Sequence, residues 1–268
     1  MSARQEFEFL VEQARRWAEL DQMFGVETAV LPAMAPLALP AVPVATAPLP
    51  AAPVAAALPV ALVAPAPVAD PALEARRAEN RVKLEAIARR LDGCTLCALS
   101  RGRTNLVPGQ GDPAAELVFV GEGPGETEDQ TGLAFVGRAG ELLTKMIVAM
   151  KLTREEVFIA NVVKCRPPGN RPPVPDEMAT CLPFLDEQLS VIKPRVICAL
   201  GKTAAIGLGL LRPGDALGSV RGRFAEWRGT PVMVTYHPSY LLRTPGDKKK
   251  AWDDLQKIFP YLTRRPAG

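Results

Sequence analysis

The chain has 268 residues and 27 of them are proline, about double the usual share of roughly 5%. Its hydrophobic fraction of 48% would suit one large core, but 26 of the 41 positions from 31 to 71 are Pro or Ala. Prolines at that density break helices and sheet interiors, and they interrupt every apolar run far short of the roughly 20 residues of a membrane span. The composition therefore excludes a membrane span here and predicts a disordered linker.

Three parts follow from this division: an N-terminal helix within 1–25, a Pro/Ala-rich linker at 26–72 and a domain at 73–268. Residues 1–72 carry a net charge of −4 and the whole chain +3, which leaves +7 on the domain. A compact domain of that charge attracts polyanions, nucleic acid first among them. Charge that serves only solubility is the alternative.

Residues 5–24 place apolar side chains at three- and four-residue spacing, which predicts a short amphipathic helix. A lone helix of this length is marginal in water, and its polar face is net acidic. We therefore expect it to dock on a protein partner or on the protein's own domain, not on an anionic membrane. Acidic residues at Glu6 and Glu8 argue against a signal peptide, so we expect a cytoplasmic protein with reduced cysteines.

Beyond the linker, short apolar strands alternate with helices. This order predicts a three-layer α/β/α sandwich around a central, mostly parallel four-stranded sheet. The expected strands lie at 117–121, 157–163, 195–200 and 232–236, and the expected helices at 73–91, 139–150, 175–192, after Gly201 and from Asp247. Ligands bind such sheets at the carboxyl ends of the strands. That rule singles out three segments: GEGPGETED (121–129), NVVKCRPPGNR (161–171) and HPSYLLR (237–243).

Four of the five cysteines form a tight pair and two distant members: Cys94, Cys97, Cys165 and Cys181. This spacing is typical of a four-thiolate site for zinc or an iron–sulfur cluster, and it does not separate the two. Four unrelated reduced cysteines are the alternative. Cys198 lies inside the apolar strand VICAL, so we expect it to be a small buried hydrophobe.

The glycines of GEGPG let the backbone approach a ligand closely, with a plain turn as the alternative. Glu126 stands where a dinucleotide fingerprint needs glycine, so that interpretation fails. Asn161 ends a strand and presents both a donor and an acceptor to a planar ligand. Phe135 is either a core residue or a stacking face.

His237 is the only histidine in the chain and follows a predicted strand directly. Proline after it predicts a loop, on which Ser239 can contact phosphate and Leu241 adds apolar bulk. Its position favours a chemical role, although a structural histidine is the alternative.

Taken together, these motifs resemble the family 4 uracil-DNA glycosylases, the iron–sulfur branch of that superfamily. The match runs from about 94 to 258 and includes, in order, GEGPGETED, LAFVGRAGELL, NVVKCRPPGNRPP and HPSYLLR, with the same cysteine spacing. The resemblance implies a parallel sheet between helices and removal of uracil from DNA. It also implies a [4Fe-4S] cluster on the four cysteines, with zinc as the less favoured occupant. We expect a monomer associated with the nucleoid through DNA.

The resemblance also implies roles for individual residues. Glu122 and Gly123 belong to the uracil pocket, and Glu122 organises the hydrolytic water. Phe135 stacks on the flipped base, Asn161 reads the uracil edge and His237 faces uracil O2. Other branches of the superfamily have aspartate where this chain has Gly123, which leaves the general base open.

A second group of residues is expected to contact DNA. Leu241 fills the space that the flipped base leaves in the duplex, and Ser239, Arg166 and Arg171 lie nearby. We further hypothesise that the cluster pins the Cys94 segment and the loop at 166–175 into a DNA-facing surface.

Two other functions remain open at this stage. One is a non-catalytic nucleic-acid-binding protein with a structural four-cysteine site. The other keeps the fold but traps the abasic sugar covalently. The joint presence of Glu122, Phe135, Asn161 and His237 favours hydrolysis over binding alone, because a binding module has no need of all four.

Overall fold

The computed structural model describes residues 70–263, so the predicted N-terminal helix and the linker up to residue 69 lie outside them. The first helix, α1 (Pro71–Leu91), begins two residues earlier than predicted. Asp70 caps it by accepting a hydrogen bond from the amide of Ala72 at 3.0 Å. Proline suits the first position of a helix because its nitrogen has no hydrogen to leave unpaired.

One sheet of six strands forms the centre of the domain, in the order β1-β3-β2-β4-β6-β5. Its strands are β1 (Gln110–Gly111), β2 (Leu117–Gly121), β3 (Phe158–Asn161), β4 (Val196–Leu200), β5 (Phe224–Trp227) and β6 (Thr230–Thr235). The four central strands are parallel, as predicted. The predicted count of four strands is wrong, because the sheet also has two antiparallel edge strands, β1 and β5. β1 is too short, and β5 too exposed, to appear in the sequence as an apolar run.

Six more helices connect and cover the strands: α2 (Glu126–Thr131), α3 (Arg138–Ala149), α4 (Pro175–Ile192), α5 (Gly201–Gly207), α6 (Pro238–Arg243) and α7 (Lys248–Gln256). Short 3₁₀ turns lie at 98–101, 168–170, 217–219, 245–247 and 259–261. The predicted helices are confirmed, and most of their ends lie within two residues of the predicted positions. The segment after His237 is helical and not the predicted loop, since proline is well tolerated in a first helical turn.

Strand residues alternate between two cores. Phe119, Cys198 and Met233 point into the core covered by α3, α6 and α7. Val118 and Ile197 point into the opposite core, covered by α4 and α5. The predicted three-layer sandwich is therefore confirmed. Burial raises the pKa of the Cys198 thiol, as expected of a cysteine that only packs.

Across residues 70–263, none of the helices has both the length and the apolar character that crossing a bilayer requires. The parallel strands all end at the same edge of the sheet. Gly121 and Asn161 are the last residues of β2 and β3, and His237 follows β6 by two positions.

Candidate active site

A cavity of about 240 Å³ opens at this carboxyl edge. All five residues predicted for the uracil pocket line it: Glu122, Gly123, Phe135, Asn161 and His237. Glu128, Asn170, Arg171 and Ser239 complete much of the remaining wall. The fold thus brings residues that are up to 115 positions apart in the chain to one base-sized space.

The turn after β2 is tightly packed around this cavity. A Cβ atom on Gly121 would lie 2.4 Å from Asn161 Oδ1 and 2.4 Å from Phe135 Cζ. On Gly123 it would lie 2.7 Å from a methyl group of Val163. Glycine at 121 is therefore what allows the backbone, the asparagine and the aromatic ring to meet at the cavity floor.

Glu128 holds two walls of the cavity together. Its Oε1 accepts hydrogen bonds from the amides of Val136 at 2.9 Å and Gly137 at 2.8 Å, and its Oε2 accepts one from Gly125 at 3.1 Å. A carboxylate suits this position because it has several acceptor sites for converging amides. Sequence reasoning missed Glu128, whose only signal was its position three residues into the helix after GEGPG.

Phe135 is held in a conformation that few side-chain-bearing residues adopt. Its φ is +52°, in the left-handed region, and the residue is 5% exposed. Any Cβ on Gly140 would lie 1.9 Å from the Phe135 carbonyl oxygen, so only glycine lets α3 pass this turn. The Phe135 and His237 ring centroids are 5.7 Å apart. This places an aromatic face beside the histidine at the cavity wall.

Asn161 is 1% exposed, and its Oδ1 has no hydrogen-bond partner. Leaving a buried acceptor unpaired costs about 1–3 kcal/mol. Tolerance of that cost at the end of a strand, facing a cavity, indicates an acceptor kept for a ligand's N–H group.

His237 caps the N-terminus of α6. Its Nδ1 accepts a hydrogen bond from the Ser239 amide at 3.1 Å and lies 2.8 Å from Ser239 Oγ. An amide can only donate, so Nδ1 carries no proton and the neutral ring carries its proton on Nε2. Burial, aided by the positive charge of Arg243, lowers the pKa of His237 to about 4. The ring is therefore a neutral hydrogen-bond donor at pH 7.

Glu122 follows β2 and accepts a hydrogen bond on Oε2 from the hydroxyl of Thr203, in the first turn of α5. Thr203 is a second residue that sequence reasoning missed. The contact orients the carboxylate at the cavity wall, while Oε1 makes no hydrogen bond to any residue between 70 and 263.

The four predicted metal ligands all line a second, much smaller cavity. Cys94, Cys97, Cys165 and Cys181 all line it, together with Arg103 and Lys164. Within residues 70–263, no three His, Cys, Asp or Glu side chains converge closely enough for one metal ion. The cysteines therefore surround a space without converging on its centre.

The thiols in this cavity are poorly solvated. Burial raises the pKa of Cys181 to about 11 and also raises that of Cys165. Arg103 opposes the effect at Cys165, because its Nη1 donates to Sγ at 3.2 Å and to the Cys94 carbonyl at 2.8 Å. A bound cationic centre would supply the charge that buried thiolates need.

Comparisons with known proteins agree with this geometry. Residues 108–256 match the model of the uracil DNA glycosylase superfamily. The chain is 45% identical over 186 residues to a type-4 uracil-DNA glycosylase of Thermotoga maritima, covering 68% of this chain and 95% of that protein. A type-4 enzyme of Saccharolobus solfataricus is 42% identical over 190 residues, covering 68% and 88%. One of Sulfurisphaera tokodaii is 44% identical over 182 residues, covering 65% and 83%.

The chain belongs to the type-4 branch of the uracil DNA glycosylase superfamily. This confirms the resemblance seen in the motifs. The matched region of this family member begins after α1, so it includes neither the segment predicted to form an N-terminal helix nor the Pro/Ala-rich segment.

The structure contradicts the prediction that Leu241 forms an exposed apolar tip. Leu241 is completely buried in the core, where α6 lies against α3, so it does not project as an apolar tip. The reason is the helix: positions 241 and 242 point in directions about 100° apart, which sends Leu242 outward. Leu242 is 37% exposed and is the apolar side chain that this family member presents at the end of α6.

The two predicted DNA-binding arginines are partly engaged within the protein. Arg171 makes a two-pronged ion pair with buried Glu177, at 2.7 and 2.8 Å, and so lowers the pKa of that carboxyl. Arg166 donates from Nε to Asn170 Oδ1 at 2.8 Å and lies 3.7 Å from Glu126. These contacts shape the loop at 166–171 beside the cavity; DNA binding by either arginine, and by Ser239, stays a prediction.

Proposed function

We propose that this protein flips uracil out of DNA and hydrolyses its N-glycosidic bond with water, the first step of base excision repair. Family membership confirms the function class predicted from the sequence, uracil excision by an N-glycosyl hydrolase. One observation carries the mechanism: an unpaired Asn161 Oδ1 shares a single cavity with a neutral His237 and the face of Phe135.

Recognition rests on the flipped base. A base inside a duplex cannot be reached, so extrusion must offset a few kcal/mol of lost stacking and pairing. Phe135 stacks on the ring, and Asn161 accepts from uracil N3–H while its amide group donates to O4. Cytosine presents the opposite donor and acceptor pattern at these two positions. It would leave buried groups unpaired, at about 1–3 kcal/mol each, and is therefore rejected.

His237 stabilises the departing base. Breaking the bond between N1 and C1′ leaves negative charge on the uracil ring and positive charge on the sugar. Because Ser239 holds Nδ1 as an acceptor, the Nε2–H group donates to uracil O2 as that charge develops. An interaction that strengthens only in the transition state raises the turnover rate.

Glu122 organises the attacking water. Thr203 occupies one carboxylate oxygen, and the other accepts a hydrogen bond from the water and directs its lone pair at C1′. The water oxygen forms the new bond to C1′ as the bond from C1′ to uracil N1 breaks, and the proton that the water loses neutralises the departing uracil anion. Gly123 lines the same side of the cavity as part of the uracil pocket.

The cysteine cavity fits a [4Fe-4S] cluster held by Cys94, Cys97, Cys165 and Cys181. A cluster of four irons would not require these four cysteines to converge on one point, as a single zinc ion would. When bound, the cluster supplies a cross-link between the segment at 94–103, the loop after β3 and α4. Hydrolysis moves no electrons, so it has no redox part in the reaction.

Other features are proposed on the sequence alone. The enzyme acts as a monomer associated with nucleoid DNA, and the segment at 5–24, which is predicted to form a helix, recruits a protein partner. The positive charge of the domain suits binding to the DNA backbone.

The test uses the full chain purified without oxygen and three oligonucleotides that differ only in carrying uracil, cytosine or thymine at one site. Alkali-induced strand scission at uracil alone, with no protein–DNA adduct, supports the proposal. Absence of scission would favour a binding protein, and a stable adduct would favour covalent trapping. Iron content and a broad visible absorption of the same sample separate a cluster from zinc.

A further inference from the structure

Lys164 is 0% exposed, the only lysine so buried among the residues that the structure describes. It stands between the two sites in the chain, three residues after Asn161 and directly before Cys165. Its ammonium group donates to the Asn161 carbonyl at 2.9 Å and to Gln188 Oε1 at 2.7 Å. The uracil mechanism and the cysteine ligation described above use neither contact.

The same residue also lines the cysteine cavity, together with Cys165 and Cys181. Its carbonyl accepts from the Val107 amide at 3.0 Å. Both Cys181 and Gln188 belong to α4, so the hydrogen bond from Lys164 to Gln188 ties the end of β3 to the helix that carries Cys181.

The second acceptor is itself fixed. Gln188 is 2% exposed and donates from Nε2 to the Pro108 carbonyl at 2.8 Å. Burying an ammonium group is costly unless its hydrogen bonds are satisfied, and an apolar side chain of similar size often serves stability equally well. Here the ammonium group donates to one acceptor on β3 and another on α4, so its hydrogen bonds fix the geometry between these two elements.

We propose that Lys164 is a positioning residue for uracil recognition, which holds Asn161 in place by tying the end of β3 to α4. The inference rests on the proposed role of Asn161. The Asn161 side chain is tightly packed, since a methyl group on Gly121 would overlap its Oδ1. A displacement of about 1 Å at such a group can cost roughly 100-fold in rate.

The test compares Lys164→Met with Gln188→Met in the full, cofactor-loaded protein. Both variants break the bond between the two side chains, but only Lys164→Met frees the Asn161 carbonyl. We expect both variants to keep the visible absorption and to have melting temperatures close to each other. Lys164→Met should lower kcat/KM on uracil DNA by about 10- to 100-fold, and Gln188→Met by less than about threefold. Equal losses in the two variants would overturn the proposal.

A second readout does not depend on turnover. A duplex carrying 2′-fluoro-deoxyuridine resists hydrolysis, and its affinity relative to the matching thymidine duplex measures uracil recognition alone. Lys164→Met should reduce this ratio, whereas loss of stability alone would leave it unchanged. An unchanged ratio contradicts the proposal even if kcat/KM falls.

A double-mutant cycle completes the design. If Lys164 acts through Asn161, adding Lys164→Met to Asn161→Ala costs no further excision, whereas independent roles would multiply. Should Lys164→Met fail to fold, Lys164→Arg takes its place, because an arginine keeps donors for both acceptors but moves them. An additive cycle with either variant refutes the coupling. A wild-type protein inactive on uracil DNA would refute the proposed function instead.

Discussion

The uracil pocket and the cysteine cavity lie on either side of the short segment from Asn161 to Cys165, but they are completed in different ways. In the pocket, the chain's own hydrogen bonds fix the walls: three amides converge on Glu128, and Ser239 sets the tautomer of His237. In the cysteine cavity, buried thiols with raised pKa values face one another, and Arg103 is the nearby cation that contacts one. The first site is organised by its own hydrogen bonds, and we propose that the second is organised by the cluster that it binds.

The sharpest test of a preorganised pocket is His237→Ala. Removing one donor aimed at developing charge typically costs about 100- to 1,000-fold in turnover, while DNA affinity stays within about threefold. Single-turnover excision and a binding titration with uracil-free DNA measure the two quantities. Ser239→Ala is the matched variant, and it should cost much less because the Ser239 amide still binds Nδ1. Equal losses of turnover and affinity in His237→Ala would show that the histidine is structural.

Glu128→Ala tests whether the pocket walls depend on one carboxylate. Three amides lose their acceptor, and hydrogen bonds to a charged group contribute about 1.5–3 kcal/mol each. We expect excision to fall by roughly 10- to 100-fold with an unchanged visible spectrum. Glu126→Ala removes the same charge two residues away, from a side chain that is largely exposed, and serves as the control. If both variants behave alike, net charge and not geometry explains the loss.

Cys181→Ser tests the other half of the comparison. We expect loss of iron and of visible absorption, with a melting temperature lower by roughly 5–10 °C, as a deficit of about 2–3 kcal/mol would produce in a domain of this size. Cys198→Ala is the control, since that thiol is buried between sheet and helices away from the cavity. Retention of iron by Cys181→Ser, or its loss from Cys198→Ala, would contradict the assignment of ligands.

The pH dependence of excision is the smallest expected effect. Burial lowers the pKa of His237 to about 4, so the neutral donor persists from pH 8 down to about pH 5 and kcat/KM should show no histidine titration in that range. A decline centred near pH 6.5 would indicate an ordinary histidine. His237 also makes the stability of the domain depend on pH. In the unfolded chain its side chain binds a proton near pH 6.5, and in the folded protein only near pH 4. The free energy of unfolding therefore falls as the pH drops from 6.5 toward 4.

Much of this architecture follows from local patterns. The four parallel strands are short apolar runs, and the rule that ligands bind at their carboxyl ends located Asn161 and His237. Each of these residues lies at or just beyond a strand end, where the backbone alone decides its position. The edge strands escaped prediction because β1 has two residues and β5 alternates exposed and half-buried positions.

What sequence reasoning missed depends on contacts between distant segments. Glu128, Thr203 and Lys164 are ordinary polar residues until the fold brings their partners to them. Leu241 illustrates the reverse case. An apolar residue after HPS suggests an exposed tip, but a short helix turns it into the core and sends Leu242 outward. Successive side chains on a helix point in directions about 100° apart, so the motif alone does not tell which of two neighbouring residues faces the core.

The edges of the sheet carry a consequence for how the protein behaves at high concentration. A parallel sheet that ended at β3 and β6 would present rows of unpaired amides and carbonyls, on which another molecule could add a strand. Here β1 and β5 cover both edges with antiparallel pairs. β1 fits only because position 111 is glycine: any Cβ there would lie 1.9 Å from the Val157 carbonyl oxygen. Gly111, far from any chemistry, thus allows a strand of only two residues to form this edge of the sheet, and so short an edge offers few groups with which another strand could pair.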